Sequence, residues 1–497
     1  MKVQEEIERK YEVDENTVVP PLAEIAEVVP AGEVDLEAEY FDTEGGDLAA
    51  HHIVLRRRRG GEDEGWHIKV PSEDGRTEYH WPLAEGDVPA EVLAPVLVIV
   101  RDRPLRVIAR LHTRRTLLRL VGDGGDLLEI ADDVVSASDT STGVLRIWRE
   151  WEVELLSGAP ESKKERTALF DAVEERLLAA GATPAASGSK LASALGRTTL
   201  AEVRTVPRLD RSSATSAVLI VALRALVDDL VVIDPRVRRN EPDSVHLFRT
   251  RVRRLRSLFA SYRHVFDREA TDPIREELRD LGVVLGRARD AEVMRDRAHT
   301  LVADHDVVPL EVGEHIAAHW DADYLEALDL VVAELSGTRY FRLLDTLDGF
   351  IAHPVLTPSA SGAASDLVPV ALDTELTRVL HHAKLARAAG SGEGRTLLLH
   401  ETRKAAKRLR YAAEAVSYGD AGVFGKKARR LASAAEAVHD LLGEYRDSEL
   451  MQQHLRELAQ ESGHAFEYGV LFEIERHSAA LCLMEYPAAP AELKASR

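Results

Sequence analysis

The sequence predicts an α+β multidomain protein in which an antiparallel β domain is followed by an all-α domain made of two repeats. Three observations lead to this prediction. Short alternating runs between glycine-rich and acidic turns fill the first 156 residues. Apolar residues at helical spacing fill the chain from about residue 213 onward. Two sequence blocks of this second part occur twice in the same order, which indicates a duplication.

The N-terminal part is expected to form an antiparallel sheet or barrel, because turn residues recur at short intervals. The turns lie at residues 44–46, 60–65, 73–75 and 122–125. A helix is predicted at about 163–180, after Pro160, and a short one at about 189–195. The longer helix is expected to bury one face, formed by Leu169, Phe170, Val173, Leu177 and Leu178.

The change from alternating strand patterns to helical spacing of apolar residues gives the expected domain boundaries. The β domain is predicted at residues 1–200, the linker at 201–212 and the helical domain at 213–490. A Pro/Ser/Ala/Gly-rich segment at 354–366 lies midway through the helical part. It separates two predicted repeats, at about 213–353 and 367–490.

The repeat in the helical part is carried by two pairs of blocks. Residues 246–256 (HLFRTRVRRLR) align without a gap with residues 400–410 (HETRKAAKRLR), 154 positions later. Residues 285–294 (LGRARDAEVM) align with residues 442–451 (LGEYRDSELM), 157 positions later. Two matched blocks in one order predict that the helical domain is a duplicated unit.

Composition limits the class of function. Hydrophobic residues make up 45% of the 497 residues, and the formal net charge is −21. An acidic chain argues against general binding of nucleic acid or of an anionic membrane, provided that the charge is evenly spread. Cys482 is the single cysteine, which excludes a disulfide framework or a cysteine zinc site within one chain. The start has no apolar signal segment and no stretch reads as a membrane span, so a cytoplasmic protein without membrane contact is expected.

Charged residues of both signs share faces of the predicted strands, because side chains two apart point to the same side of a strand. The sets are Glu6/Glu8/Lys10, Arg56/Arg58, Arg76/Glu78, Arg110/His112/Arg114, Glu129/Asp133 and Glu150/Glu152/Glu154. For one strand, a solvated face is the usual interpretation. In a closed barrel the inner faces converge, and carboxylates with arginine and lysine in one lumen suit a divalent ion together with a polyphosphate.

The run Glu6-x-Glu8-x-Lys10 resembles the ExExK signature of the CYTH superfamily, the triphosphate tunnel metalloenzymes. The resemblance covers about residues 1–200. It is supported, in order, by Tyr40-Phe41-Asp42-Thr43, Leu55-Arg56-x-Arg58, Trp66-x-x-Lys69, Arg76-x-Glu78, Thr113-Arg114-Arg115, Glu129-x-x-Asp132-Asp133, Glu150-x-Glu152-x-Glu154 and Ser189-Lys190-Leu191. The resemblance implies an eight-stranded antiparallel β tunnel that binds a triphosphate group and one or two divalent cations.

Carried over residue by residue, the resemblance also implies roles for the charged side chains. Phosphates would be held by Lys10, Arg56, Arg58, Lys69, Arg114 and Lys190. Mg²⁺ or Mn²⁺ would be held by Glu6, Glu8, Glu152 and Glu154, with Glu78, Glu129 and Asp133 as further ligands or water-orienting bases. The candidate catalytic residues are Glu6, Glu8, Lys10, Glu78 and Glu129. His112 departs from the family pattern, because a basic residue is expected there.

The helix predicted at about 245–266 separates an apolar face from a basic one. The apolar seam is formed by Phe248, Val252, Leu255, Phe259, Tyr262 and Phe266. The basic face carries His246, Arg249, Arg253 and Arg256, and the second repeat carries His400, Arg403, Lys407 and Arg410 at the same spacing. The HxxRxxxRRLR block resembles the CHAD domain, and the resemblance covers about residues 213–490. It implies binding of inorganic polyphosphate, a flexible polyanion, through the basic surface.

The sequence therefore predicts an inorganic triphosphatase joined to a polyphosphate-binding domain. Two other activities stay open for the tunnel, an adenylate cyclase acting on ATP and a thiamine triphosphatase. A non-catalytic polyphosphate adaptor is the rival from another class, although all four predicted metal-binding glutamates are present. A nucleic-acid partner is not expected, because the aromatic residues of the basic helix belong to its apolar seam.

Overall fold

The computed structural model describes residues 1–72, 74–202, 204–303, 309–390, 392–461 and 463–497. Glu73, in one predicted turn, and Val203, in the predicted linker, lie outside the described residues. The chain forms two compact units, Met1–Arg204 and Thr205–Arg497. A β-rich unit followed by an all-helical unit confirms the predicted fold class.

The first unit is built on one antiparallel sheet. Its strands are β1 (Lys2–Glu6), β2 (Glu8–Glu12), β3 (Glu27–Thr43), β4 (Val54–Arg59), β5 (Gly65–Pro71), β6 (Arg76–Trp81), β7 (Leu105–Gly122), β8 (Gly125–Asp139), β9 (Leu145–Leu155) and β10 (Thr183–Pro184). Their order in the sheet is β1-β6-β5-β4-β3-β7-β8-β9-β2-β10. β1 and β2 are consecutive in the chain but pair with β6 and β9 respectively, so this one stretch of chain closes the sheet into a barrel.

The strand number is ten, not the expected eight. The difference has two causes. The first strand is interrupted at Ile7, where the chain changes its hydrogen-bonding partner from β6 to β9. β10 is a two-residue addition that pairs with the outer edge of β2. Counting 2–12 as one bent strand and leaving β10 aside gives the eight-stranded barrel.

Among the described residues, five short or medium-length helices accompany the barrel, of which α4 packs on its outer face and α5 contributes Lys190 and Leu191 to its cavity. The first unit contains α1 (Asp47–Ala50), α2 (Ala90–Leu93), α3 (Leu97–Val100), α4 (Lys163–Ala179) and α5 (Lys190–Ala194). α4 buries Phe170, Val173 and Leu177 against the outer face of β2, β8 and β9, where Trp151 and Val153 lie in the same cluster. Because these alternating apolar residues point outward to the helix, the charged residues between them point into the barrel.

The second unit is all-helical in its described residues. Its helices are α6 (Thr215–Arg238), α7 (Ser244–Ser261), α8 (Arg268–Ala303), α9 (Leu310–Leu335), α10 (Thr338–Ala352), α11 (Ala364–Ala388), α12 (Glu393–Glu414), α13 (Gly425–Glu461), α14 (Ala465–Glu485) and α15 (Ala489–Ala495). Within the described ranges, no helix has both the length and the apolarity that crossing a membrane requires.

The two copies of the repeated block meet in this unit. α7 carries the first copy and α12 the second, and the two helices pack on each other. Arg254 of α7 pairs with Glu414 of α12 at 2.7 Å, and the Tyr262 hydroxyl donates to the Ala412 carbonyl at 2.8 Å. All six predicted seam residues of the α7 region, including Phe248 and Phe266, are buried, as expected. The two basic sequences therefore belong to adjoining helices.

Candidate functional site

The barrel encloses a cavity of about 600 Å³. Its lining combines carboxylates and cations, contributed by nearly every strand of the barrel. The predicted site residues on it are Glu6, Glu8, Lys10, Arg56, Arg58, Lys69, Glu78, Glu129, Glu152, Glu154 and Lys190. Of the predicted phosphate and metal residues of the first unit, Arg114 and the further candidate Asp133 do not line this cavity.

Strand register places these residues in rows across the inner wall. Glu8 of β2 lies directly opposite Glu154 of β9, and Glu129 of β8 is the next residue in the same row. One step along the strands, Lys10 lies opposite Glu152. Glu8 and Glu154 carry like charge and lie directly opposite each other, which destabilises the pairing of β2 with β9.

Each lysine of the cavity is paired with carboxylates. Lys10 pairs with Glu152 and also lies 3.1 Å from Glu8. Lys69 donates to the two carboxylate oxygens of Glu6, one of them at 2.6 Å. Although burial alone would lower the pKa of the Lys10 ammonium, Glu152 and Glu8 raise it, so this lysine stays charged.

A buried acidic triad lies at one side of the cavity. Oxygens of Asp133, Glu150 and Glu152 lie within 4.8 Å of one another, close enough to share one metal ion. The Lys190 amine lies between the three carboxylates, at 2.9, 2.7 and 2.5 Å. Arg115 adds a bidentate pair to Asp133, at 2.8 and 2.7 Å, and a contact to Glu152 at 2.5 Å. Burial opposes ionisation of Asp133, but Lys190 and Arg115 together lower its pKa.

The carboxyl group of Glu154 differs from those of the acidic triad, because within the described part of the chain it has no cationic partner of its own. Among the described residues the Glu154 carboxyl has no hydrogen-bond or ion-pair partner, and its pKa is raised to about 8 by burial and by the charges of Glu6 and Glu8, against the opposing effect of Lys69. An all-oxygen donor set with excess negative charge fits a hard divalent cation such as Mg²⁺ or Mn²⁺. Of the predicted quartet of Glu6, Glu8, Glu152 and Glu154, only Glu152 belongs to the acidic triad.

Glu78, on the strand next to β1, is held in place by several side chains. It accepts hydrogen bonds from Gln4 at 3.1 Å, from Arg56 at 3.3 Å and from His67 Nδ1 at 2.9 Å. His67 is 1% exposed, and its Nε2 lies 2.9 Å from the carbonyl oxygen of Asp63. Burial and Arg56 lower the pKa of His67 to about 3, against the opposing hydrogen bond to Glu78. Sequence reasoning missed His67, although it shares strand parity with Lys69.

Arg56 and Arg58 have free donors in the cavity. The Nε atom of each guanidinium is buried and has no hydrogen-bond partner among the described residues. Burial and the neighbouring charges of Arg56 and Arg115 lower the pKa of Arg58 to about 9, so it remains charged near neutral pH. Unpaired buried donors are costly, and an anionic oxygen would satisfy them.

Arg114 corrects one prediction, because it lies on the outer surface while Arg115 lines the cavity. Alternation along β7 points the odd-numbered residues from Leu111 to Arg119 into the cavity, so the side chain of Arg114 points outward. Arg115 lies opposite Asp133 in the register of β7 with β8. His112 shares the outer face with Arg114 and its side chain is 56% exposed, so its departure from the family pattern does not reach the cavity.

The second candidate site is the basic surface of α7 and α12, defined by the eight predicted residues His246, Arg249, Arg253, Arg256, His400, Arg403, Lys407 and Arg410. Most of them are partly buried, whereas Arg256 and His400 are exposed. Arg410 is neutralised by Glu414 at 2.9 Å and Glu436 at 2.7 Å. The remaining arginines of this surface have weak acidic contacts or none among the described residues.

The two repeats build the same arginine contact. Arg249 lies against Gly286 of α8, where an added Cβ would be 3.5 Å from its guanidinium. Arg403 lies in the same way against Gly443 of α13, at 3.3 Å. The Nε atoms of both arginines are buried without a partner among the described residues. Glycine in the LGxxRD blocks thus leaves room for a guanidinium, and this explains why both sequence blocks recur together.

Family models match both parts of the chain: a CYTH domain model matches residues 4–185 and a CHAD domain model residues 221–456. Two proteins of Mycobacterium tuberculosis described as uncharacterised, from strains CDC 1551 / Oshkosh and ATCC 25618 / H37Rv, are each 38% identical over 514 residues, covering 97% of this chain and 95% of theirs.

Solved structures give weaker likenesses to this chain. PptA from Streptomyces chartreusis is 17% identical, with a TM-score of 0.45 over 56% of this chain and 99% of its own. The CHAD domain from the plant Ricinus communis is 23% identical, with a TM-score of 0.42 over 60% of this chain and 95% of its own. The sequence relatives span the whole chain and the two family models account for both units, so this chain belongs to the family of proteins that join a CYTH domain to a CHAD domain.

Proposed function

We propose that the first unit is a divalent-metal-dependent triphosphatase that hydrolyses inorganic triphosphate inside its β tunnel. The observation that carries this proposal is the cavity wall, in which carboxylates and cations meet in one closed barrel. Cations alone would suit any polyanion. A carboxylate cluster with unbalanced charge beside them suits a polyphosphate bound together with a metal ion.

The proposed substrate ligands are the cations of the cavity, namely Lys10, Arg56, Arg58, Lys69, Arg115 and Lys190. Arg115 replaces Arg114 in this set, since only Arg115 lines the cavity. Lys69 and Lys190 are held by carboxylates in the free protein. Binding of a triphosphate therefore exchanges ion pairs within the protein for ion pairs with phosphate oxygens, and little charge is left unpaired in either state.

The proposed ligands of Mg²⁺ or Mn²⁺ are Glu6, Glu8, Glu152 and Glu154; the bound ion supplies Lewis-acid stabilisation of charge on the phosphates. Glu78 and Glu129 are the candidate carboxylates for orienting the attacking water. Both line the cavity, and each is fixed by side-chain contacts, Glu129 by Arg119 at 3.1 Å. The arginines and lysines stabilise the charge that develops on the leaving pyrophosphate.

The test is a phosphate-release assay with Mg²⁺ or Mn²⁺ on four substrates: tripolyphosphate, ATP, thiamine triphosphate and long polyphosphate. We expect the highest kcat/KM with tripolyphosphate, which should yield orthophosphate and pyrophosphate. Formation of cyclic AMP, or preference for thiamine triphosphate, would assign the tunnel to one of the alternative activities. Tight binding of tripolyphosphate without turnover of any substrate would favour the non-catalytic adaptor.

We further propose that the second unit binds inorganic polyphosphate through the basic surface of α7 and α12. The contacts of Arg249 with Gly286 and of Arg403 with Gly443 support this, because they place a guanidinium at matching positions of the two repeats. A flexible polyanion offers regularly spaced oxygens to both helices and releases counterions on binding. Affinity should fall steeply as salt rises, and equal affinity at low and high salt would contradict the proposal.

A further inference from the structure

Lys407 differs chemically from the other repeated cations of the basic surface. The position that aligns with it in the first repeat is Arg253, and both lie one turn beyond the arginine that rests on glycine, Arg403 in the second repeat. A guanidinium keeps its charge at any pH that a protein meets, whereas a lysine amine loses its charge readily when it is buried near other cations.

The surroundings of Lys407 are rich in positive charge. Arg249, Arg253 and Arg256 of α7 and Arg403 of its own helix all act on its amine with like charge. Lys407 is partly buried, and among the described residues no carboxylate lies within ion-pair distance of its amine. The Lys407 amine is therefore surrounded by positive charges and, within the described ranges, has no acidic partner.

The acidic groups of this region are used by other residues. Arg410, on the same helix, takes Glu414 and Glu436. From α8, Asp290 lies 3.5 Å from Arg249, and from α13, Asp447 and Asp440 act on Arg403. None of these contacts compensates a charge on Lys407.

His439 of α13 faces the same cluster. Its Nδ1 lies 2.8 Å from Asp440, and its Nε2 is buried without a partner among the described residues. Burial, Arg403 and Lys407 lower the pKa of His439 to about 4, against the opposing hydrogen bond to Asp440, so the ring is neutral at physiological pH. It brings no negative charge to Lys407.

Burial and the four arginines together lower the pKa of Lys407 to about 6. The pKa is lowered and not raised, because burial and neighbouring positive charges both disfavour the charged amine. At neutral pH most of the free protein would then carry an uncharged amine at the centre of the basic surface.

We propose that polyanion binding at the basic surface is coupled to the uptake of one proton by Lys407. This inference rests on the proposed polyphosphate-binding function of the second unit. The phosphate oxygens supply the negative charge that the surroundings of Lys407 lack, and the amine becomes an ammonium that donates to them. By linkage, affinity for the polyanion falls roughly tenfold per pH unit above pH 7 for each proton taken up.

The test is calorimetry of the full chain with long-chain polyphosphate at constant ionic strength, between pH 7 and 8.5. Titrations in buffers of different ionisation enthalpy give the number of protons exchanged. Long chains are required because terminal phosphates titrate near pH 6 and would add their own proton exchange. We expect net uptake of about one proton per bound site and an affinity that falls roughly tenfold per pH unit.

Two variants test whether Lys407 is the group that takes up the proton. Lys407→Arg keeps a permanent charge and should remove most of the uptake and of the pH dependence, with an affinity at pH 8 roughly tenfold above the wild-type value at pH 7. Lys404→Arg is the matched control, because Lys404 is exposed on the same helix and paired with Glu401 at 2.8 Å. This control should behave as the wild type does.

The outcomes separate the two proposals. Absence of polyphosphate binding at every pH would overturn the proposed function of the second unit. Binding without proton uptake by the wild type, or uptake that survives in a folded Lys407→Arg variant, would overturn the inference about Lys407 alone. The wild-type measurement needs no variant and therefore decides the question even if Lys407→Arg does not fold.

Discussion

At the scale of single residues, the clearest feature is the pair of carboxylates on adjacent strands at the metal side of the tunnel. Glu8 and Glu154 lie opposite each other on β2 and β9, with Glu6 nearby. Like charges in this position destabilise the sheet unless a cation or a proton intervenes. The raised pKa of Glu154 follows from burial and from the charges of Glu6 and Glu8, which favour a proton on this carboxyl.

This arrangement predicts an unusual pH dependence of stability. The pKa of Glu154 is about 8 in the folded protein, against about 4.3 in an unfolded chain. Between these values the folded state holds the extra proton, so its stability falls as pH rises through this window. In chelator-treated protein we expect Glu154→Gln to gain thermal stability over the wild type progressively from pH 5 to 8.

Added Mg²⁺ provides the control for this prediction. It should raise the melting temperature of the wild type at pH 8 and have a smaller effect on Glu154→Gln, because one ligand is missing. Parallel pH profiles of the two proteins without metal would show that Glu154 is not protonated in the free tunnel.

Arg115 and Arg114 give a second prediction at this scale, since adjacent residues point to opposite sides of β7. Arg115→Met removes the bidentate partner of Asp133, which is 0% exposed. We expect a loss of about 3 kcal/mol, the lower end for breaking a buried pair, because Lys190 remains beside Asp133.

Affinity for triphosphate should fall at least tenfold in Arg115→Met, whereas Arg114→Met should leave both affinity and stability within about 0.5 kcal/mol of the wild type. The measurements are isothermal binding of tripolyphosphate and urea unfolding of each variant. Equal losses in the two variants would contradict the register on which the site is built.

At the scale of elements, the arginine-on-glycine contacts fix how α7 meets α8 and how α12 meets α13. We predict that Gly286→Leu displaces the Arg249 guanidinium and reduces the slope of log affinity for polyphosphate against log salt by about one. Gly282→Leu, one turn earlier on α8, is the control, because nothing lies within 4 Å of a Cβ built there. Equal slopes for both variants and the wild type would argue against a role for Arg249 in binding.

Much of each element could be predicted from sequence patterns alone. Strand parity placed Glu6, Glu8 and Lys10 on one face, and helical spacing identified the buried seam of α7, because both patterns depend only on local geometry. The interior of the barrel was correctly inferred for the strands whose other face is apolar, as in Trp151 and Val153 under α4.

The remaining details depend on features of the strands that the simple alternation of side chains does not predict. Which face of β7 points inward decides that Arg115 and not Arg114 lines the cavity, and the break at Ile7 changed the strand count. The balance of charge in the cavity was also beyond sequence reasoning, because it depends on which lysine reaches which carboxylate. Lys190, from a short helix outside the barrel strands, fills the acidic triad in a way that spacing along the chain does not reveal.

At the scale of the whole molecule, a net charge of −21 conceals two cationic sites. In the first unit the cations are paired with carboxylates inside a barrel, and in the second they are concentrated on two adjoining helices. Overall acidity therefore does not exclude the proposed binding of polyanions, since cations are concentrated at both proposed sites.

The division into two compact units predicts two separate responses to ligands. In calorimetric unfolding of the full chain, a non-hydrolysable imido analogue of triphosphate with Mg²⁺ should shift the transition of the first unit upward. At a hundredfold excess over Kd the gain is about 2.7 kcal/mol, or roughly 5–10 °C for a unit of this size. Long polyphosphate without metal should shift the other transition, and a single transition moved equally by both ligands would contradict two independent sites.

The central claim is that the β tunnel is a metal-dependent triphosphatase, and product analysis with tripolyphosphate tests it most directly. The full chain should release orthophosphate and pyrophosphate in equal amounts with Mg²⁺ or Mn²⁺. Release should stop with a chelator and be reduced by several orders of magnitude in Glu8→Gln. No release above the uncatalysed rate with either ion, or unchanged release in a folded Glu8→Gln variant, would contradict the claim.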